Sequence, residues 1–346
     1  MKKVGIAGFG VVGKRRGDFI QKIPNLELTA VCDQTFKGEG FLENGAAYFT
    51  DYRELIKQQL DILFVCISND MAAEVTIAGL KSGLHVFCEK PPARNLREIE
   101  EVIKCEKQYS NLKLKYGFNH RYHMSVKDAL YIIESGNMGR VINLRGVYGK
   151  SQLVTFGKDH DWRTSRELAG GGILLDQGIH MVDLMRLFGG EYTEVNSVVS
   201  NAFWNHDVED NAYALMKTEA GVVAMLHSSA TQWRHSFNLE ITLETGLLIL
   251  SGILSGSKSY GNETLTIIKR LGDDRGDPVE EFREYDVDPS WEEEIKEFCE
   301  VVLEDKKIIN GNSLEAYKTM KLVYDIYCAD ELWKNEWMLE NSVVDF

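Results

Sequence analysis

One short stretch near the start of the chain restricts the fold more than any other. An apolar run over residues 4–7 is followed by three glycines in the pattern G-x-G-x-x-G, namely Gly8, Gly10 and Gly13. A segment with helical spacing follows over residues 12–23, and a second apolar run over residues 26–32 ends at Asp33. A strand, a glycine-rich turn, a helix and a second strand in this order are typical of a βαβ unit.

Each part of this unit has a physical task in binding a dinucleotide. Gly8 lets the chain turn sharply out of the strand, Gly10 lets the backbone approach a pyrophosphate, and Gly13 lets the helix pack closely on the sheet. The start of the helix offers unpaired N–H groups to phosphates. Asp33 lies at about the spacing expected of a carboxylate that binds ribose hydroxyls. The predicted cofactor-binding residues here are Gly8, Phe9, Gly10, Val11, Val12, Gly13 and Asp33.

The acid at the end of the second strand also bears on the choice of cofactor. A carboxylate at Asp33 would repel the 2′-phosphate of NADP, so NAD is the predicted cofactor and NADP the less favoured one. Arg15 and Arg16 lie on the first helix, where we expect them to face solvent or the pyrophosphate. The alternative is a structural βαβ turn that binds no ligand.

The order of the apolar patterns predicts two domains in a chain of 346 residues. Strands and helices alternate over residues 1–120, as a parallel doubly wound sheet requires. Residues 121–346 contain long strands with two-residue periodicity and short glycine turns, which predict an α+β domain with a large, mostly antiparallel open sheet. Within it, the acidic stretch 273–294 is expected to be a solvated connection, and helices are expected over residues 291–303 and 313–333.

The bulk composition excludes several classes of function. A formal net charge of −14 argues against binding to nucleic acid or to an anionic membrane surface. Nothing in the sequence is long and apolar enough to span a bilayer, and the chain enters a core strand without a signal peptide. The 6 cysteines stand singly in apolar segments, which predicts reduced core residues in the cytoplasm.

Ligands of a doubly wound sheet bind beyond the carboxyl ends of its strands, where several polar residues are expected. Ser68 and Asn69 follow one predicted strand, and Glu89 and Lys90 follow the next. Lys90 can stabilise a developing alkoxide. Glu89 can pair with groups around Lys90, or it can hydrogen-bond a ribose or a carboxamide. The alternative is a surface Glu–Lys pair before a turn. All four are predicted to contact the cofactor.

A second set of polar residues lies in the C-terminal half. Asp176 and His180 follow three consecutive glycines and are spaced i,i+4, so on a helix they would share one face. A carboxylate that orients an imidazole is a common arrangement for general acid–base catalysis. The alternative is a capping Asp and a packed core His.

Two polar segments are further candidates for the substrate cleft. In the segment 159–163, Arg163 can bind substrate oxygens and Trp162 can lie against a sugar ring, although either can be structural. The segment 119–123 ends the first domain and can also reach the cleft. A metal site built from His120, His123 or His160 is not predicted, because their spacing matches no metal motif.

These motifs together resemble the glucose–fructose oxidoreductase / inositol dehydrogenase (Gfo/Idh/MocA) family over nearly the whole chain. The matching residues are the run 8–13, Glu89-Lys90-Pro91, the run 117–121, Gly171-Gly172, the run 176–180, Trp291, Glu294, Ile295, Phe298, Gly311 and Ser313. The resemblance implies an N-terminal Rossmann domain, an open-sheet second domain, and a homodimer or homotetramer built through that sheet. It leaves the role of His120 open.

The same resemblance implies hydride transfer at a secondary alcohol of a sugar, cyclitol or nucleotide-linked sugar. Carried over by motif, Lys90, Asp176 and His180 form the catalytic group. His180 takes the hydroxyl proton during oxidation, Lys90 stabilises the charge on oxygen, and Asp176 orients the site. The expected substrate-binding residues are Lys90, Asn119, Arg121, Tyr122, Trp162, Arg163, Asp176 and His180.

Two other functions are compatible with the same fold. One is a non-catalytic, dinucleotide-sensing regulatory protein, which is expected to lack the lysine or the histidine. The other is a reductase that acts on a non-sugar carbonyl or a double bond.

Overall fold

A computed structural model describes residues 1–154, 161–255, 258–272 and 276–340. It contains a seven-stranded sheet in the order β3-β4-β2-β1-β5-β6-β7. Its strands are β1 (Lys2–Ala7), β2 (Leu26–Cys32), β3 (Gly40–Phe41), β4 (Ala47–Phe49), β5 (Ile62–Val65), β6 (His85–Glu89) and β7 (Leu114–Gly117). The accompanying helices are α1 (Val11–Ile20), α2 (Tyr52–Leu55), α3 (Asn69–Lys81) and α4 (Leu96–Glu106). Apart from the antiparallel β3–β4 pair, neighbouring strands are parallel, as predicted.

The later residues form an eight-stranded sheet in the order β15-β14-β13-β12-β8-β11-β10-β9. Its strands are β8 (Val141–Gly149), β9 (Tyr192–Ser200), β10 (Asn211–Thr218), β11 (Val223–Ser229), β12 (Ser236–Leu243), β13 (Gly246–Ser251), β14 (Glu263–Lys269) and β15 (Glu280–Tyr285). The helices are α5 (Met124–Glu134), α6 (Arg166–Ala169), α7 (Ile179–Gly189), α8 (Ser290–Leu303), α9 (Ser313–Ala329) and α10 (Glu331–Glu336). Only the β8–β11 pair is parallel among the described pairs, so the predicted fold class is confirmed.

Side chains on the parallel sheet alternate between two apolar layers, because successive residues of a strand point to opposite faces. In β5, Leu63 and Val65 join the layer that contains α3 and α4, whereas Ile62 and Phe64 join the layer that contains α8. Helix α8 therefore returns from the late part of the chain to the first sheet. The boundary at residue 120 stays a prediction.

The antiparallel sheet is covered on one face by α5, α7 and α9. Its other face leaves large apolar side chains exposed, namely Val198, Tyr213, Leu215, Met225 and Phe282. No helix within the described residues is both long and apolar enough to cross a membrane.

Two predictions about the late elements were wrong. The stretch 273–294 is not merely a solvated connection, because its described residues include β15 and the first turn of α8; residues 273–275 lie outside the described ranges. The helix predicted over 313–333 is interrupted at Asp330, which has extended backbone angles. The Asp330 carboxylate accepts N–H bonds from Leu332 and Trp333, so it ends one helix and caps the next.

Candidate active site

The glycine loop lies between β1 and α1 and leaves its helix terminus free for a ligand. Gly8 has φ 86°, a left-handed conformation that favours glycine. A Cβ on Gly13 would overlap the carbonyl oxygen of Gly8, so the helix approaches the loop too closely for any side chain. A Cβ on Gly10 would meet no atom within 4 Å, and no side chain caps α1. Open space at uncapped N–H groups fits a pyrophosphate.

Asp33 follows β2 directly beside this loop. One carboxylate oxygen accepts a bond from Phe9 N at 2.8 Å. The other accepts bonds from the backbone N and the hydroxyl of Thr35 at 2.9 and 2.7 Å. The loop residues Val11 and Val12 begin α1, and Val11 is exposed. The residues present therefore fit a dinucleotide.

The two polar residues after β5, Ser68 and Asn69, differ in their hydrogen bonding. Ser68 precedes α3 and makes no capping bond through its side chain. Asn69 is buried, and its amide nitrogen donates to the carbonyl oxygen of Ala169 at 2.7 Å. The amide nitrogen of Asn69 thus ties α3 to α6, which the sequence did not indicate.

The expectation for Arg16 was wrong. Its side chain is fully buried and does not face solvent. Arg16 Nε donates to Glu89 Oε1 at 2.6 Å, and Nη2 donates to Glu294 Oε2 at 2.7 Å. Glu89, predicted to contact cofactor, is therefore one member of a buried ion-pair group.

Lys90 lies at the carboxyl end of β6 and points toward Asp176. Its ammonium group donates to the backbone carbonyl oxygen of Asp176. Burial of this group lowers the pKa of Lys90, and the carboxylates of Asp176 and Glu89 oppose that shift. The Lys90–Pro91 peptide bond is cis.

The carboxylate of Asp176 is surrounded by cations. It accepts a bond from Lys150 Nζ at 3.2 Å, and Arg163 Nε lies 3.7 Å from its other oxygen. Burial acts to raise the pKa of Asp176, but Lys150, Lys90 and Arg163 outweigh it and hold the pKa well below the usual range. Asp176 is ionised at neutral pH.

His180 is buried at the start of α7, and its Nδ1 has no hydrogen-bond partner in the described part of the chain. Burial, with the nearby charge of Lys90, lowers the pKa of His180 well below its usual value. Residues 174–178 form a π-helical turn, so Asp176 and His180 do not sit on one regular α-helix. The hydrogen bonds described for Asp176 go to other groups than the imidazole, which corrects the expected Asp–His pair.

The segment 119–122 forms a buried turn whose polar groups have protein partners. Arg121 donates twice to Asp183, at 2.7 and 2.6 Å, and the hydroxyl of Tyr122 donates to Glu297 at 2.7 Å. Asn119 donates to Ser290 Oγ at 3.0 Å. These bonds tie the turn to α7 and α8 and occupy the polar groups of Arg121 and Tyr122, so the expectation that these two residues bind substrate is not supported.

Trp162 and Arg163 lie in a short turn beside Asp176. The guanidinium carbon of Arg163 lies 4.3 Å from the ring centre of Trp162. The structure therefore brings Arg163 and Trp162 to the site together with Lys90, Asp176 and His180. Asp159 and His160, which precede them, lie outside the described residues. Within the described ranges, no three His, Cys, Asp or Glu side chains are placed to hold a metal ion.

Sequence reasoning missed Lys150 and Tyr148. Both come at the end of β8, and Tyr148 accepts or donates a hydrogen bond with His120 Nε2 at 3.0 Å. The only local signal was their position after a long alternating strand. Because the partners Asp176 and His120 are distant in sequence, that signal could not distinguish them from surface residues.

A dinucleotide-type glycine loop, together with a lysine after β6 that meets Asp176 and His180 from the start of α7, is typical of a Rossmann-fold oxidoreductase. Residues 2–118 match the oxidoreductase family with an NAD-binding Rossmann fold, and residues 126–249 match the GFO/IDH/MocA C-terminal domain. The chain belongs to the Gfo/Idh/MocA family.

Several characterised proteins are similar to this chain. Levoglucosan dehydrogenase of Pseudarthrobacter phenanthrenivorans is 32% identical over 51% of this chain, a match that spans 43% of that protein. Myo-inositol 2-dehydrogenase of Thermotoga maritima is 26% identical over 87% of this chain and 88% of its own length. A structure of levoglucosan dehydrogenase with NADH has a TM-score of 0.81 at 19% identity, covering 96% of this chain and 97% of the other. This structural likeness shows the shared fold.

Proposed function

We propose that this protein transfers a hydride between a nicotinamide dinucleotide and a secondary alcohol or ketone of a sugar, cyclitol or nucleotide-linked sugar. The observation that carries the proposal is the convergence of Lys90, Asp176 and His180 beyond the carboxyl ends of the parallel strands. That edge also holds the glycine loop and Asp33. Relatives named levoglucosan dehydrogenase, inositol 2-dehydrogenase and D-glucoside 3-dehydrogenase support a polyol substrate.

Each catalytic residue has a role that follows from its surroundings. His180 is neutral near pH 7, since burial lowers its pKa, so it can accept the proton of the substrate hydroxyl. The ammonium of Lys90 stabilises the charge that develops on the same oxygen. The ionised Asp176, held by Lys150 and Arg163, offers a hydrogen-bond acceptor to neighbouring hydroxyls. When bound, the nicotinamide supplies the hydride acceptor or donor.

The proposed cofactor is NAD rather than NADP. Asp33 places a carboxylate beside the glycine loop, where a 2′-phosphate would meet a like charge. The proposed cofactor residues are the loop 8–13, Asp33, Ser68 and Lys90. Asn69 and Glu89 support the site through their protein partners.

The exposed face of the antiparallel sheet is the proposed subunit interface of a homodimer or homotetramer. Val198 is paired with Tyr213 across β9 and β10, and Leu215 with Met225 across β10 and β11. These four side chains form an exposed apolar patch on the three strands at the β9 edge of the face.

The experiment that tests the function compares Lys90→Ala and His180→Ala with the wild-type protein. Absorbance at the nicotinamide band follows turnover with a panel of sugars, inositols and nucleotide sugars, and quenching of Trp fluorescence follows NADH binding. Each variant should lose at least about 100-fold in kcat because a proton acceptor or a positive charge is removed, while NADH binding changes little. Lys57→Ala, at an exposed lysine, is the control. Retained turnover in either active-site variant would contradict the proposal.

A further inference from the structure

His120 lies flat against the proposed catalytic base. The ring centres of His120 and His180 are 3.7 Å apart, and their planes differ by 11°. His120 is itself buried and held at both nitrogens, by Asn119 Oδ1 at 3.2 Å and by the hydroxyl of Tyr148 at 3.0 Å. Its ring orientation is therefore fixed by two elements outside α7.

Among the described residues, the ring of His180 has no comparable anchor. Its Nδ1 is buried and has no hydrogen-bond partner within those residues, so none of them sets the ring plane through a bond at that atom. A catalytic histidine is usually oriented by a partner at the nitrogen that does not react. In this protein the parallel ring of His120 occupies the position that can supply the orientation instead.

We propose that His120 is a positioning residue, which holds the ring of His180 in one plane and shields that ring from water. This inference rests on the proposed function, in which His180 is the base. Asn119 and Tyr148 act through His120, because they fix the ring on which His180 lies. Asn119 was predicted to bind substrate. In this proposal it instead helps to hold the catalytic base in position, through His120.

The shielding has a defined consequence for the pH dependence of activity. The charged and titratable groups that face this pair are Lys90, Asp176, His123 and Tyr148. Burial is the largest cause that lowers the pKa of His180, and Lys90 adds to it while Asp176 opposes it. Removing the His120 ring admits water that solvates the imidazolium, so the pKa of His180 should rise toward its ordinary value of about 6.5.

The test measures kcat/KM as a function of pH in His120→Ala and His120→Phe. A phenyl ring preserves a flat buried surface but cannot bond to Tyr148. In His120→Ala the acid limb should move upward, toward pH ~6.5, and kcat should fall about 10-fold. In His120→Phe the acid limb should stay at its wild-type position. His206→Ala removes a histidine from the loop between β9 and β10 and is the control.

A second measurement does not depend on activity. NMR of histidine labelled with ¹³C in the whole protein follows the titration of the His180 ring, whose signal is the one missing in His180→Ala. The pKa of His180 should rise in His120→Ala and not in His120→Phe. An unmoved titration in His120→Ala, or an equal shift in both variants, would overturn the inference. Retained turnover in His180→Ala would instead overturn the proposed function itself.

Discussion

Arg16 illustrates how much a single residue depends on its partners. A guanidinium that is fully buried costs several kcal/mol unless carboxylates compensate for the lost water. Glu89 and Glu294 supply that compensation, and Glu89 directly precedes Lys90. Arg16 therefore links α1, the helix after the glycine loop, to the end of β6, where the proposed catalytic Lys90 lies. Arg16 lies on the buried face of α1 together with Gly13 and Ile20, although a basic residue is ordinarily assigned to solvent.

Burial of the second carboxylate of this group has an electrostatic cost. Burial raises the pKa of Glu294 to about 7, although Arg16 and Lys115 oppose the rise. One of its oxygens has no hydrogen-bond partner among the residues that the structure describes. The net charge of the buried group formed by Arg16, Glu89 and Glu294 is therefore close to zero, as expected where charges are removed from water.

At the residue scale, Asp33 is expected to control the choice between NADH and NADPH. Replacing it with Asn removes the negative charge but keeps an oxygen that can accept the Phe9 N–H bond. We expect the dissociation constant for NADH to rise about 10-fold, because a charge-assisted hydrogen bond is lost. The preference for NADH over NADPH should shrink, because the like-charge repulsion disappears. Fluorescence titration with both nucleotides measures the two constants.

The control for Asp33→Asn is Asp18→Asn, which removes a charge from an exposed position on α1. An unchanged preference between the nucleotides in Asp33→Asn would show that this carboxylate does not contact the ribose.

At the element scale, the turn that carries Asp176 is held by backbone contacts to Glu209. The Glu209 carboxylate accepts bonds from Gly172 N at 2.7 Å and Leu174 N at 3.0 Å, and its carbonyl oxygen accepts one from Ile173 N at 3.1 Å. A Cβ on Gly172 would overlap that carbonyl oxygen. Gly172, which precedes the proposed catalytic residues, therefore serves close backbone packing, beside any role toward a ligand.

Gly172→Ala should consequently displace this turn. We expect a loss of about 1–3 kcal/mol in the free energy of unfolding, because overpacked backbone must shift, together with lower kcat. Thermal unfolding and steady-state kinetics measure the two effects. Gly272→Ala is the matched control, since a Cβ there meets no atom within 4 Å. Equal stability of the two variants would show that the turn accommodates the methyl group.

Some elements were predictable from local patterns alone, and others were not. The strand β5 is a continuous apolar run, and Asn95, a typical capping residue, caps α4 by accepting the Glu98 N–H bond. The strand β15 carries mostly charged side chains because it is the exposed edge of its sheet, so it has no apolar alternation to detect. The break at Asp330 depends partly on β9, whose Val199 N donates to the same carboxylate.

At the scale of the whole molecule, the exposed sheet face is expected to drive self-association. Replacing Leu215 and Met225 by Glu places two charges in the apolar patch and should dissociate the oligomer, since an unpaired charge is costly in an interface. Light scattering after size-exclusion chromatography gives the mass of each form. The control is Lys217→Glu, on the same face of β10 at the strand end.

A wild-type protein that is monomeric at micromolar concentration would contradict this arrangement. An oligomer that survives the double substitution would place the interface on another surface.

The class of fold and the main residues of the proposed site could be predicted from the sequence alone. Glycine spacing, a two-residue period in strands and a terminal acid are local properties, because they arise from backbone geometry over a few residues. Lys90, Asp176 and His180 were found because they lie in short motifs. Local geometry did not determine the partners of those residues.

Which polar groups pair with one another became clear only from the tertiary structure. Arg16 and Glu294 are separated by 278 positions, and Lys150 and Asp176 by 26, so no pattern along the chain joins them. Nor did the motif around residue 120 distinguish Arg121, bound to Asp183, from His120, stacked on His180. Such pairings follow from burial, because most polar groups removed from water are paired with residues that the fold brings near them.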